Sequence, residues 1–477
     1  MDAADTWQSP LSSRYASAAM RANFSDRRRF LRWRELWIAL AEAERELGLP
    51  ISAEQVEELR ATKDRLDLDA AARHERELRH DVMAHVHAWG EVAPKARPIL
   101  HLGATSCYVT DNADLMAMRE GIALVRRQLV SLVDVLRRFA LEHRALPTLG
   151  FTHFQPAQAT TVGKRATLWI QDLVDDLADL AHAESMLRFR GAKGTTGTQA
   201  SFLALFDGDH GRVRELDRRV TAKMGFEKAF GVTGQTYPRQ LDFRVLAALS
   251  SIAQSAHKFA TDVRLLAHRR EVEEPFEQNQ IGSSAMPWKR NPMRSERICA
   301  LARWVIELPG NAAHTAANQW LERTLDDSAN RRMSLAEAFL ATDAVLNLYL
   351  DVAAGLVVHP QVIARNLAQE LPFLASETVM MEAVKQGADR QDVHEAVRRA
   401  SHEAARAIKE GGENPLRALF ARDPALAGLA HRLDDLLEGS RHVGRASDQV
   451  AEYLAEEVEP VLARWKELLG ARGDVRL

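Results

Sequence analysis

The segment 282–292, with the sequence GSSAMPWKRNP, concentrates side chains that could do chemistry on an anion. Its polar members are Ser283, Ser284, Lys289, Arg290 and Asn291. Prolines at 275, 287 and 292 interrupt any helix here, and Gly282 allows a sharp bend, so a loop is predicted. A lysine and an asparagine on a closing loop can stabilise developing negative charge. On composition alone, a plain polar surface loop is the alternative.

Two histidines are candidates for proton transfer. His153 lies just before Pro156, which is expected in the first turn of a helix over residues 157–189. The positive end of that helix would favour a neutral imidazole, whereas a carboxylate partner would favour the imidazolium. A lone histidine is more often structural than catalytic. His80, flanked by Arg79 and Asp81, is the second candidate.

A metal site built from His80, His85 and His87 is not expected. Residues two apart on a helix diverge by about 200°, so His85 and His87 cannot easily share one ion. The sequence also lacks a P-loop and a glycine-rich dinucleotide motif after a strand. We therefore predict neither a metal nor a cofactor.

Thr105 and Ser106 could bind a carboxylate. They stand in a glycine-containing loop, where hydroxyl and backbone N–H groups suit an anion. Asp111 and Asn112 follow at a plausible helix start. Simple capping of that helix is the alternative role for these hydroxyls, and both roles can coexist.

Arg323, Ser328 and Arg332 could form a phosphate site. Residues 328 and 332 are four apart and share one helix face, and a helix start capped by Asp327 or Ser328 would present free N–H groups. A surface network of salt bridges is equally compatible with the sequence. Its acidic members would be Glu322, Asp326 and Asp327.

Long helices must position these segments. Apolar residues recur at steps of three and four in several stretches that have few internal prolines. The predicted long helices cover residues 112–142, 157–189, 238–270, 294–320 and 329–356, with Pro309 inside the fourth. Such helices span roughly 40–50 Å, and their wide alanine-rich stripes favour a bundle within an oligomeric core. Strand signals are sparse.

The sequence therefore predicts an all-α fold with three helical domains. Glycines and prolines near 90–110 and 355–360 suggest the boundaries. The predicted units are an N-terminal domain over 1–110, a central bundle over 111–358 and a C-terminal domain over 359–477.

Composition excludes several broad classes of protein. The net charge is −3, which gives no global attraction to nucleic acid or membranes. The two cysteines, Cys107 and Cys299, predict buried thiols and no disulfide framework. The first ten residues lack the features of a secretory signal, and no apolar run reaches the roughly 20 residues of a membrane span. These features predict a cytoplasmic protein.

A basic run over residues 27–34 could suggest nucleic-acid binding. Acidic neighbours flank it, and Trp33, Leu36, Trp37 and Leu40 form an apolar stripe. A packed amphipathic helix with a solvated basic face is the preferred interpretation.

The segment 282–292 resembles the GSSxMPxKxN signature of the fumarase/aspartase superfamily, and the chain as a whole resembles its adenylosuccinate lyase family, most closely the animal-type branch. The similar segments are residues 13–17 (SRYAS), 79–86 (RHDVMAHV), 103–107 (GATSC), 152–158 (THFQPAQ), 234–237 (GQTY) and 322–332 (ERTLDDSANRR). The resemblance implies an all-helical homotetramer whose active sites each combine three subunits.

The resemblance also implies roles for individual residues. The catalytic set would be Ser283 as base, His153 as general acid, Glu296 as its partner, Lys289 and His80. Substrate would be bound by Arg14, Tyr15, Arg79, His80, Asp81, Thr105, Ser106, Gln235, Lys289, Asn291, Arg297, Arg323, Ser328 and Arg332. The implied reaction is elimination of fumarate from a succinylated purine nucleotide or its imidazole precursor.

Two alternatives remain open at this point. Another lyase of the superfamily, such as one similar to argininosuccinate lyase, would share the loop but need no phosphate site. A structural protein similar to the lens crystallins could keep the scaffold without catalysis. The intact set Ser283, Lys289, Asn291 and His153 argues against the second alternative.

Overall fold

The computed structural model describes residues 5–473, and α-helices predominate within them, as the sequence periodicity predicts. The N-terminal elements are a π-helical turn (Leu11–Tyr15), α1 (Ala18–Asn23), α2 (Asp26–Glu46), α3 (Ala53–Thr62), α4 (Leu68–Leu78), α5 (Asp81–Val92) and a 3₁₀ turn (Arg97–Ile99). Side chains of Ser17, Ser25, Ser52 and Asp67 accept N–H bonds at the starts of α1 to α4. These caps explain where the four helices begin.

Long helices form the centre of the molecule. In chain order the elements are α6 (Ser106–Glu142), β1 (Pro147–Thr152), β2 (Gln155–Thr161), α7 (Val162–Ser185), α8 (Ala200–Leu205), α9 (His210–Lys223), α10 (Gln240–His268), β3 (Val272–Glu273), α11 (Met293–Glu307), α12 (Pro309–Ala317) and α13 (Asp327–Ala354). Helix α6 packs against α2, α7 and α13, and α10 packs against α7, α11, α12 and α13. The all-α fold with a central bundle is thus confirmed.

The predicted helix over residues 157–189 is wrong at its start. Residues 147–161 instead form an antiparallel hairpin of β1 and β2, and Pro156 lies in β2 opposite Phe151. Helix α7 begins only at Val162, where the Thr161 hydroxyl accepts the N–H of Lys164. Proline is tolerated at the edge of a two-stranded sheet as well as in the first turn of a helix, and Pro156 takes the first of these places.

The predicted helix over residues 294–320 is interrupted. Helix α11 ends at Glu307, and α12 begins at Pro309 and ends at Ala317. Proline has no N–H to continue the ladder, and its ring clashes with the preceding turn, so Pro309 starts a new helix.

The C-terminal part contains β4 (Val357–Val358), α14 (Pro360–Leu374), α15 (Ser376–Lys385), α16 (Arg390–Lys409), α17 (Leu416–Arg422), a 3₁₀ segment (Pro424–Arg432), α18 (Leu433–Leu436), a 3₁₀ turn (Gly439–His442), α19 (Ala446–Tyr453), a π-helical turn (Leu454–Val458), α20 (Glu459–Arg464) and a 3₁₀ turn (Lys466–Leu468). A separate apolar cluster spans Val379 to Leu436. Val450, Leu454 and Leu462 instead join the main core. The last part of the chain therefore returns to the bundle, while the domain limits stay a prediction.

Helix α2 carries the basic run, and its apolar stripe is buried as expected. Trp33, Leu36, Trp37 and Leu40 are all at most 2% exposed. The expectation of a fully solvated basic face is wrong for Arg32 and Arg34, which are also buried. Their guanidinium groups donate to the carbonyls of Asn23, Thr62 and Lys63 inside the protein.

Helix α13 is long and apolar enough to cross a membrane by length and composition. Most of its apolar stretch is instead buried against neighbouring helices. Burial within the protein is what the core helix of a bundle requires, since it must be apolar nearly all round.

Glu44, on α2, is a buried carboxyl group with 0% exposure, and neither oxygen has a hydrogen-bond partner within residues 5–473. Burial raises its pKa from 4.5 to about 9. The folded protein therefore keeps the proton while the unfolded chain releases it above pH 4.5. The free energy of unfolding should therefore decrease as the pH rises from 4.5 to about 9.

We predict that Glu44→Gln removes this pH dependence. Over that window, the free energy of unfolding of the variant minus that of the unmodified protein should increase by about 1.4 kcal/mol per pH unit. Urea unfolding of both proteins from pH 5.5 to 8.5 measures the difference. Parallel curves would show that Glu44 is ionised in the folded state.

Candidate active site

His80 caps helix α5 and contacts the start of helix α6. The N–H of Met83 donates to His80 Nδ1 at 3.4 Å, so this nitrogen carries the lone pair. The proton then lies on Nε2, which is 3.2 Å from Ser106 Oγ.

Thr105 and Ser106 face other polar groups. Thr105 occupies the N-cap position of α6 but makes no side-chain capping bond. Its hydroxyl lies 3.4 Å from Gln235 Nε2, and Cys107 Sγ lies 3.6 Å from Gln235 Oε1. The helix starts here, ahead of Asp111 and Asn112. Simple capping of α6 by Thr105 is therefore ruled out within the chain.

Asp81 links the histidine segment to helix α13. Its Oδ1 accepts the N–H of Val82 at 2.8 Å, and its Oδ2 accepts a 3.0 Å bond from Arg332. Arg79, two residues earlier, adopts a left-handed conformation that ends α4. This turn directs residues 79–81 towards the N-terminal ends of both α6 and α13.

A buried ion network lies beneath this cluster. The guanidinium group of Arg239, 3% exposed, donates to both oxygens of Asp111 at 3.0 and 3.1 Å and to Asp327 at 2.7 Å. Arg323 donates to both oxygens of Asp327 at 2.9 Å. Asp111 lies on α6 and Asp327 starts α13, so Arg239 fastens two helix starts together.

A second part of the network continues along α10 and α13. Arg331 donates to Asp242 at 2.7 Å and to the Tyr237 hydroxyl, and it pairs with Asp114 at 3.0 Å. Burial opposes ionisation of both Asp111 and Asp114. The guanidinium groups of Arg239 and Arg331 outweigh burial for Asp111 and lower its pKa, whereas burial prevails for Asp114 and raises its pKa.

Three backbone segments stack closely beside the cluster. A Cβ on Gly197 would lie 1.8 Å from the carbonyl oxygen of Thr233, and a Cβ on Gly234 would lie 2.6 Å from that of Glu322. The N–H of Gln235 donates to Glu322 at 3.0 Å. Glycine at these positions lets the loops approach, which sets Gln235 against Thr105 and fixes the segment that carries Arg323.

Tyr15 and Arg297 form another pair of predicted binding residues. The Arg297 guanidinium lies 5.5 Å from the centre of the Tyr15 ring. Its Nη1 is buried and has no hydrogen-bond partner within residues 5–473. Arg14, on the same π-helical turn, is exposed. An unsatisfied buried guanidinium nitrogen is a ready donor for an anionic ligand.

The signature loop, residues 282–292, is irregular, as predicted, and mostly exposed. Ser283 Oγ accepts two backbone N–H groups, from Met286 at 3.2 Å and Ala285 at 3.4 Å. These donors would stabilise negative charge on that oxygen. Asn291 Nδ2 donates to the Gly282 carbonyl at 2.8 Å, and the side chain of Lys289 is exposed.

His153 lies at the tip of the β1–β2 hairpin and not at a helix start, which corrects the sequence expectation. His153 and Phe154 form a two-residue turn with φ of 53° and 56°. Both are exposed. Within the described chain no hydrogen bond or ion pair joins His153 to Glu296, which is exposed on the first turn of α11.

The predicted residues thus fall into separate groups within one chain. Contacts join one group directly, and its members are His80, Asp81, Thr105, Ser106, Gln235 and Arg332, with Arg323 attached through Asp327 and Arg239. The signature loop and the hairpin tip are exposed apart from it. Ser328 is half-buried on the first turn of α13, where no side chain caps the helix.

Several charged residues of the site escaped the sequence prediction. They are Asp111, Asp114, Arg239, Asp242 and Arg331. A signal for two of them was present, because Asp111 and Asp242 fall in phase with the buried apolar residues of their helices. A charge in such a phase requires a buried partner. The salt-bridge alternative for Arg323 is real, but its partner Asp327 is buried and not on the surface.

Cys107 and His85 have structural roles. Both cysteines are free and buried, as predicted. Burial raises the pKa of Cys107 to about 11, so its thiol stays protonated near neutral pH. The His85 ring stacks on Phe30 at 3.8 Å, and burial lowers its pKa to about 4. His85 therefore belongs to the core of the N-terminal helices.

The fold and the sequence define the class of protein. The sequence model of the lyase family matches residues 14–306. The fold is similar to that of 3-carboxy-cis,cis-muconate lactonizing enzyme from Pseudomonas putida, with a TM-score of 0.81 and 24% identity over 94% of this chain and 99% of that one. The chain therefore belongs to this lyase family and has the helical fold of that enzyme.

More specific matches extend over the rest of the chain. The model named adenylosuccinate lyase C-terminus matches residues 372–453. Adenylosuccinate lyase of Saccharomyces cerevisiae is 53% identical over 98% of this chain and 97% of its own length. That of Schistosoma mansoni is 47% identical over 100% of both chains. The chain belongs to the adenylosuccinate lyase family.

We predict that Gly197→Ala destabilises the protein more than Gly208→Ala. Both glycines have a positive φ, 84° and 85°, so an alanine at either carries a similar backbone strain of about 1–2 kcal/mol. A Cβ meets nothing at Gly208 but would overlap the Thr233 carbonyl at Gly197. Thermal unfolding of both variants measures the difference, and equal losses would show that the backbone stack yields freely.

Proposed function

We propose that this chain is an adenylosuccinate lyase. It cleaves adenylosuccinate to AMP and fumarate, and SAICAR to AICAR and fumarate, in purine nucleotide biosynthesis. The contact of His80 with Ser106 and that of Asp81 with Arg332 carry the case for a nucleotide substrate. These contacts bring the Ser106 hydroxyl, which suits a succinyl carboxylate, and Arg332, which suits a phosphate, into one cluster.

Proton abstraction from the succinyl group is the first step. Ser283, as an alkoxide, takes the proton from the carbon beside a carboxylate. The two backbone N–H groups at Ser283 Oγ support this role because they stabilise the alkoxide. The resulting carbanion resembles a doubly charged enolate, and Lys289 with Asn291 offsets that charge.

Cleavage of the C–N bond follows. The carbanion electron pair forms the double bond of fumarate, and the pair of the C–N bond stays with the nitrogen. His153 protonates that nitrogen as the general acid, with Glu296 as its proposed partner. His80 donates Nε2–H to the substrate. Gln235 and Arg297 also contact the substrate, and Arg14, Tyr15, Arg323, Ser328 and Arg332 hold its phosphate.

We further propose that the active protein is a homotetramer with shared sites. The exposed hairpin tip and the exposed signature loop support this, since each lies outside the cluster around Ser106. Apolar side chains exposed on the bundle helices also support an interface, among them Leu168, Phe243, Leu265, Trp304 and Met333. A bundle of this length separates loops within one chain that can meet between chains.

A cytoplasmic location is also proposed. The two cysteines form no disulfide in the described chain, which suits a reducing compartment. Cell fractionation with a tagged protein tests the proposal.

The reaction is tested by an absorbance assay with adenylosuccinate, using argininosuccinate, fumarate and aspartate as control substrates. Ser283→Ala should lower kcat about 10³-fold, as expected for loss of a general base. The matched control Ser284→Ala, at the neighbouring exposed serine, should lose far less. Turnover of a control substrate alone would replace the nucleotide assignment by another lyase activity. No turnover by an intact tetramer would favour a structural role.

Shared sites are tested by mixing two inactive proteins. His153→Ala and Ser283→Ala tetramers, unfolded together and reassembled in equal amounts, should regain about a quarter of the unmodified activity, since random mixing leaves that fraction of sites intact if the two residues come from different chains. Mass spectrometry verifies that mixed tetramers form. Mixed tetramers without activity would contradict shared sites.

A further inference from the structure

The base of the signature loop is closed by a buried carboxylate. Glu274, which directly follows β3, is 6% exposed. Its Oε1 accepts the N–H of Arg294 at 3.0 Å, and its Oε2 accepts both the N–H and the hydroxyl of Ser295 at 2.9 Å. Glu274, which precedes the loop, therefore binds the first turn of α11, which follows the loop.

This carboxylate replaces a missing helix cap. Helix α11 has Pro292 at its N-cap position, and no side chain of that residue can accept the free N–H groups. A glutamate from the far side of the loop accepts two of them instead. Burial raises the pKa of Glu274, and the N–H groups of Arg294 and Ser295 oppose that rise. The start of α11 and the end of β3 thus become one rigid unit.

Arg294 adds a second tie at the same point. Its side chain, on the same helix turn, pairs with Asp351 of α13 at 2.7 Å and with Glu277, which lies between β3 and the signature loop. The base of the loop is therefore fixed both to the bundle and to the segment that leads into the loop.

The position of Ser283 depends on this base through a short chain of contacts. The N–H of Met293 donates to the Asn291 carbonyl at 2.8 Å, and Asn291 Nδ2 donates to the Gly282 carbonyl at 2.8 Å. A Cβ on Gly282 would lie only 2.1 Å from the Lys289 carbonyl, so the two arms of the loop touch there. Ser283 follows Gly282 directly, so its position depends on that of α11.

We propose that Glu274 is a positioning residue for the elimination, acting through α11 and Asn291 to hold Ser283 and Lys289 in reacting geometry. Glu274 itself does not touch substrate. The inference rests on the proposed function for its kinetic consequence, but the restraint on the loop exists independently of the reaction.

Kinetics and proteolysis test the proposal together. Glu274→Gln keeps the shape of the side chain but turns one acceptor into a donor that faces the helix N–H groups. The kcat for adenylosuccinate should fall about 10- to 100-fold with KM changed by less than about threefold, since misplaced groups slow chemistry more than binding. Trypsin should also cut faster after Lys289 or Arg290, which are exposed on the loop.

Two further variants calibrate the result. Asp389→Asn removes a carboxylate that accepts two N–H groups at the start of α16, which carries no proposed site residue, and it should change neither readout. Ser295→Ala removes one of the three bonds and leaves the carboxylate in place. It should give a smaller effect in the same direction, and it serves if Glu274→Gln fails to fold.

The outcomes separate the two hypotheses. A kcat loss in Glu274→Gln and Ser295→Ala no larger than in Asp389→Asn, or unchanged cleavage of the loop, would overturn the positioning role. If the unmodified chain does not cleave adenylosuccinate, the proposed function fails. The rate of loop cleavage in Glu274→Gln then decides alone whether the carboxylate restrains the loop.

Discussion

Arg239 holds two helix starts together, and most of the site is arranged around this contact. Helix α6 presents Thr105 and Ser106 at its beginning, and helix α13 presents Ser328 and Arg332 at its beginning. Two N-terminal helix ends brought together would expose two sets of free N–H groups and two like dipoles. Asp111 and Asp327, one from each helix, supply the carboxylates, and the single guanidinium group joins them. Removing either partner would leave a buried charge uncompensated.

The two loops with the expected proton-transfer residues are built differently from this rigid centre. The hairpin tip places His153 in a left-handed turn that only specific packing can maintain, and the hydrogen bonds of β1 and β2 provide that packing. The signature loop has almost no regular structure and relies on its closed base. A stable cluster and two exposed arms suit a reaction in which substrate must first bind and then be covered.

Much of this arrangement is accessible from the sequence. The long helices follow from apolar spacing, and the loop with Ser283 follows from its prolines and from a signature too long to arise easily by chance. The hairpin is not accessible in the same way, because its turn uses His-Phe and not the Asn-Gly or Asp-Gly that signals a hairpin. The ion network is hidden for another reason. Asp111 and Arg239 are 128 residues apart, so no local pattern relates them. The role of Glu274 cannot be predicted from the sequence, because only the fold places α11 beside it.

The hairpin that carries His153 does not pack on the bundle alone. Leu149 and Ala159 of the hairpin share a small apolar cluster with Leu367 and Leu371 of α14, and the guanidinium of Arg269 lies 4.8 Å from the Phe151 ring. The hairpin that presents His153 therefore rests on the first helix of the C-terminal part. A substitution in α14 that leaves the bundle intact would therefore leave substrate binding unchanged but displace His153.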